Sequence, residues 1–147
     1  MNEIYEKYIS NSIEWAKLHL NSTKYTYMCL GFVEDSLERS NNIEIFGGNS
    51  AKESADLYEA YKNTGIPPEG AFVFYDCSGP INGNHSNWGH VGLSISGGAI
   101  IHAWDRVKID NYMEVEKLTP SPGWQSPKYI GWVPLERILI GYQSKVY

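Results

Sequence analysis

Long apolar runs are missing from this 147-residue chain, and none approaches the roughly 20 residues that span a bilayer. No membrane span is therefore expected. The start, Met1-Asn2-Glu3-Ile4-Tyr5-Glu6-Lys7-Tyr8, has no basic segment followed by an apolar one, so no secretory signal is read there. Basic residues are few: 12 Lys and Arg against 17 Asp and Glu give a formal charge of -5. They are scattered, which argues against nucleic acid as a partner, since that needs a basic footprint. Only two cysteines occur, so no disulfide framework is indicated and free thiols are expected.

What is present fits one domain with one sizeable core, residues 1–147. Hydrophobic residues make up 42% and charged residues 20%, which excludes a disordered chain. The 11 tyrosines and 5 tryptophans fit a core that bridges to water, and also an aromatic cleft for a sugar or peptide.

Apolar spacing predicts a helix over residues 3–20, carried by Ile4, Tyr8, Ile9, Ile13, Ala16 and Leu20. A second is predicted from Cys29 to Arg39. A third starts at the capping box Ser50-Ala51-Lys52-Glu53 and runs to about Asn63. Strands are expected at 71–76, 90–95, 99–105, 107–110 and 129–134, with 135–140 as an extension of the last. Residues 76–88 and 119–128 are expected to be loops. Helices followed by strands on short glycine turns indicate an α+β domain with an antiparallel sheet.

The order of chemistry-bearing residues is informative. Cys29 opens a helix, and His90 and His102 lie on a predicted hairpin. A two-residue turn at Gly97-Gly98 would put the histidines on opposite faces. A three-residue turn, Ser96-Gly97-Gly98, would set His102 across from Gly92, on the face of His90. It gathers Val91, Leu93, Ile95, Ile101 and Ala103 on the other face, so this register is expected. A helix start favours a thiolate at Cys29. His90 would be the base and His102 would orient it. The Cys29 amide would help bind an oxyanion. Two alternatives stay open: zinc bound by Cys77, His85, His90 and His102, and a binding module without turnover.

The segments Cys29-Leu30-Gly31-Phe32-Val33, Pro67 to Tyr75, Gly89-His90-Val91-Gly92-Leu93-Ser94-Ile95 and Ile100-Ile101-His102-Ala103 resemble the NlpC family of papain-like cell-wall peptidases and amidases, related to the CHAP amidases. The resemblance implies a papain-like NlpC-type fold, helices packed on an antiparallel sheet. It implies a thiol hydrolase with Cys29 as nucleophile, His90 as base and His102 as the orienting residue. It implies no cofactor and a peptide or peptidoglycan stem-peptide substrate. Tyr25, Tyr27, Trp88 and Trp104 are the candidate substrate-binding residues. Reaching a cell wall from the cytoplasm would need the route of a phage lysin or a delivered effector.

The family usually carries Asp-Cys-Ser-Gly at the nucleophile, where this chain has Met28-Cys29-Leu30-Gly31. That aspartate and serine help hold a free amino terminus of the substrate, so the departure loosens the stem-peptide specificity. The same string occurs as Asp76-Cys77-Ser78-Gly79, but Pro80 and two glycines prevent a helix after it. Cys29 is therefore the expected nucleophile, not Cys77.

Overall fold

The computed structural model describes residues 3–145. Three helices come first: α1 (Glu3–Leu18), α2 (Cys29–Asn41) and, after the two-residue strand β1 (Ile43–Glu44), α3 (Ala51–Leu57). Strands β2 (Phe72–Asp76), β3 (Ser78–Ile81), β4 (Asn84–Asn87), β5 (His90–Ser96), β6 (Ala99–Ala103), β7 (Val107–Asn111) and β8 (Lys128–Val133) follow. A short helix α4 (Leu135–Ile138) and strand β9 (Gln143–Ser144), which pairs with β1, complete the described chain. The architecture is α+β, built on a five-stranded antiparallel sheet in the order β7-β6-β5-β2-β8. No described helix is long and apolar enough to cross a membrane.

Side-chain alternation gives the sheet two faces. One carries Phe72, Phe74, Val91, Leu93, Ile101 and Ala103, and packs on Ile9 and Ala16 of α1 and on Phe32, Val33 and Leu37 of α2. These α2 positions recur at the helical period, which is why that segment forms a helix and why it lies on the sheet. The other face carries Val73, Tyr75, Ile100, Tyr129 and Trp132, with Val115, Tyr112 and Leu118 packed against it. The Tyr75 hydroxyl is anchored there, donating to the Tyr112 carbonyl at 2.6 Å.

Helix α3 begins as expected: the Ser50 hydroxyl accepts from the Glu53 amide at 3.1 Å. It stops at Leu57 rather than running to Asn63, because Glu59 adopts a left-handed φ of 55° and the chain continues as a short 3-10 turn, Ala60–Lys62. Residues 135–140 do not extend β8. Pro134 ends the ladder and caps α4 instead. The expected loop at 76–88 contains the β3–β4 hairpin, closed by Asn82-Gly83 with φ of 51° and 79°. Such a pair with both φ positive forms the favoured two-residue hairpin turn.

The β5–β6 turn corrects the expected geometry while reaching the same register. Gly97 and Gly98 make a two-residue turn with φ of 60° and 87°, and Ser96 pairs with Ala99. The three-residue turn is absent because two glycines in tandem suit the tighter one. A β-bulge at Ile95 then shifts the pairing, so Ser94 faces Ile100 and Leu93 faces Ile101. Continuing that ladder sets His102 across from Gly92.

Candidate functional site

Cys29 is the first residue of α2 and is half-buried. The N-cap is Met28, whose side chain makes no capping bond, and the first turn holds no acidic residue. The first amides of the helix therefore receive no acceptor from the cap residue. Tyr27, just before the cap, is in the left-handed region at φ 65°. That is a costly conformation for a bulky residue, of the kind found where a structure constrains a functional loop.

The start of β5 comes to the thiol. Burial pushes the Cys29 thiol up, opposed by hydrogen bonds from the backbone amides of Val91, Leu30 and Cys29 itself. Burial wins, so the resting group is a neutral thiol among three amides that would welcome a negative charge. Val91 follows His90, so the backbone at the start of β5 lies next to the thiol. Gly89 permits this approach. Its φ is 75°, and a Cβ there would lie 2.5 Å from the Lys52 amide nitrogen, where α3 docks on this strand. The docking bond is the Lys52 amide donating to the Trp88 carbonyl at 2.9 Å.

His90 is 4% exposed and His102 is fully buried. His90 Nε2 and His102 Nδ1 are 2.8 Å apart. Trp104 stands edge-on to the His90 ring, centroids 5.3 Å apart, and the Tyr75 ring lies 5.9 Å away. Burial holds His90 well below the usual imidazole range, helped by its neighbour His102. Burial also lowers His102, against an upward pull from Asp110. Both rings are neutral near pH 7. With Nε2 of His90 taken by His102, Nδ1 is the nitrogen left for another partner.

Asp110 was missed from the sequence, where 107–110 was read only as a strand. Its Oδ2 lies 2.8 Å from His102 Nε2. Strand β7 pairs His102 with Lys108 and Ile100 with Asp110, so the carboxylate sits diagonally across from His102 on the histidine face. The signal was available: carrying the parity of β6 through the short Asp105-Arg106 turn puts Lys108 and Asp110 on that face.

The other candidate residues divide. Trp104 is at the site. Tyr27 is exposed and its hydroxyl lies 3.2 Å from Ser121 Oγ, linking the loop before Cys29 to the 119–127 loop. Trp88 is half-buried, its indole donating to the Gly79 carbonyl at 2.9 Å. Tyr25 is not with the histidines. It packs on Trp15, His19 and Phe32 and donates to Asp35 at 2.8 Å, and burial pushes its hydroxyl up to about 12.

Cys77 starts no helix. It lies between β2 and β3, buried, with its thiol 3.5 Å from the Gln125 carbonyl. Burial and the nearby Cys29 push it up to about 11. A cavity of about 340 Å³ lined by Asp76, Cys77, Ser78, Asn87, Gln125 and Lys128 adjoins it. His85 is on the exposed β3–β4 hairpin, paired with Pro80. Among the described residues no group of three or more His, Cys, Asp or Glu could hold a metal ion. No family model matches the chain, and no curated protein matches it.

Proposed function

We propose that this chain is a cysteine-dependent amide hydrolase of papain-like, NlpC type, acting on a peptide such as a peptidoglycan stem. The observation that carries the reading is the 2.8 Å bond between His90 Nε2 and His102 Nδ1, with His90 at the strand start that meets Cys29. An oriented imidazole beside a thiol at a helix start is the arrangement that nucleophilic cysteine chemistry needs.

In this reading His90 Nδ1 takes the Cys29 proton as sulfur attacks the carbonyl carbon. The carbonyl oxygen gains the negative charge and is met by the backbone amides at the start of α2, which Met28 does not cap. His90 then returns the proton to the leaving amine, and a thioester remains on Cys29. Water, deprotonated by His90, hydrolyses the thioester and releases the acid. Because thiol and imidazole both rest neutral, the proton moves during attack rather than before it.

The rim favours a variation in substrate. Met28 is 53% exposed and Leu30 half-buried, where a stem-peptide hydrolase of this type has an aspartate and a serine. An apolar group near the scissile carbonyl suits such a rim, which supports thiol hydrolysis or acyl transfer on a non-wall substrate as the second reading.

The test is incubation of the wild type, Cys29→Ser and Cys77→Ser with purified peptidoglycan fragments and mass analysis of the products. Wild type and Cys77→Ser should add one water across an amide bond, and Cys29→Ser should not. Turnover by Cys29→Ser would sink the assignment. A wild type that binds fragments without cleaving them would favour the binding module.

A further inference from the structure

We infer that Asp110 is a positioning residue that sets the proton arrangement of both histidines, making the site a four-member chain, Cys29–His90–His102–Asp110. The inference rests on the hydrolase reading above and extends it beyond a Cys-His-His triad.

The argument is one of donors and acceptors. A carboxylate only accepts, so at 2.8 Å from Asp110 Oδ2 the His102 Nε2 must carry its proton. A neutral imidazole holds one proton, so His102 Nδ1 is an acceptor. His90 Nε2, 2.8 Å from it, must then donate. That leaves His90 Nδ1 with the free lone pair that a general base needs. Reverse the chain and the chemistry fails: a proton on His102 Nδ1 donated to His90 Nε2 would leave the His90 proton on Nδ1, with no lone pair there to take a thiol proton. The His90–His102 bond satisfies either arrangement equally. Asp110 is the group in the chain that distinguishes them.

The surroundings keep Asp110 suited to this task. Lys108, its neighbour on β7, places Nζ 3.7 Å from the same Oδ2. His102 is faced by His90 from β5, by Lys108 and Asp110 from β7, and by Asp105 in the β6–β7 turn. The Asp110 side chain is 21% exposed while that of His102 is fully buried, so the carboxylate is the outer end of the run of hydrogen bonds from His90 through His102. When His90 takes the thiol proton, its positive charge is met through His102 by the carboxylate, and no proton needs to reach Asp110.

Nitrogen-15 NMR of histidine-labelled protein reads the tautomers directly. In the wild type at pH 7 both His90 and His102 should be protonated at Nε2. In Asp110→Asn the amide can donate to His102 Nε2, so both rings should switch to protonation at Nδ1. Iodoacetamide labelling of Cys29 should slow by roughly 10²-fold. Asp110→Glu, which restores a carboxylate, should return the Nε2 tautomers and much of the labelling rate. A wild-type His102 protonated at Nδ1 would overturn the inference, as would Asp110→Asn with unchanged tautomers or unchanged labelling. Should Asp110→Asn fail to fold, Asp110→Ala serves, with mixed tautomers expected and pure Nε2 protonation overturning. The hydrolase reading fails separately: labelling of Cys29 that ignores His90→Ala would remove it and leave the tautomer result standing.

Discussion

Gly92→Ala is the smallest change that reaches the histidine pair. Gly92 is not a left-handed glycine, so its backbone tolerates alanine and the cost is one of packing alone. A Cβ there would lie 2.5 Å from Ile100 Cδ1, 3.2 Å from His102 Cβ and 3.4 Å from Ile100 Cβ. The first contact requires Ile100 to move. Ile100 is fully buried with Val73, Tyr75 and Val115, so its movement disturbs that cluster. The second requires His102, which is held by its bond to His90, to shift by a few tenths of an ångström. Overpacking of this kind costs about 1–3 kcal/mol. For a chain of this length that lowers the melting temperature by roughly 3–10 °C. Calorimetry measures the shift, and Cys29 labelling measured well below the melting point should fall with it. A variant that melts and labels like the wild type would refute the placing of His102 across from Gly92.

Further outcomes follow from the buried titratable groups. Glu34 on α2 is pushed up to about 7 by burial and then by Glu38 and Asp35. Its raised carboxyl pKa makes the folded state hold a proton that the unfolded chain releases. Stability should thus fall as pH rises from about 4.5 to about 7, by up to about 3 kcal/mol, and Glu34→Gln should remove that slope in urea titrations at pH 5 and 8. For His90 and His102 the sign is opposite. Their pKa values are lowered on folding, so stability should be lost as pH falls below about 6.5, where the unfolded chain takes up protons. Melting curves of His90→Gln between pH 5 and 8 should show a shallower acid limb. Among the described residues Tyr58 Oη is buried without a hydrogen-bond partner. Tyr58→Phe should therefore leave stability unchanged or raise it by about 1 kcal/mol in urea unfolding, and a loss of 2 kcal/mol would show that the hydroxyl is paired.

The arrangement of the site was legible where alternation alone decides it. Val91, Leu93, Ile101 and Ala103 demanded one face, which forced His90 and His102 onto the other whatever the turn did. The turn itself was misread because parity can be restored in two ways, by a third turn residue or by a bulge, and the bulge at Ile95 leaves no mark in the sequence. Asp110 escaped because its role depends on a second register, that of β7 on β6, which is set by an equally short turn. Tyr25 and Tyr27 are two residues apart, and the tyrosine that the resembled family tends to carry upstream of its cysteine recommended both. The left-handed backbone at Tyr27 separates them, sending Tyr25 into the aromatic cluster with Trp15 and Tyr27 out toward Ser121. The β3–β4 hairpin was hidden by Pro80 and the surrounding glycines, although Asn82-Gly83 is a strong two-residue turn pair.

The central claim is that His90 acts as base toward Cys29. The most direct measurement is the rate of iodoacetamide labelling of Cys29 against pH, in wild type and in His90→Ala. In the wild type, labelling should persist below pH 6.5, because burial keeps the His90 imidazole neutral there. His90→Ala should slow it by roughly 10²-fold or more at pH 7. Labelling in His90→Ala that matches the wild type across the pH range would contradict the account.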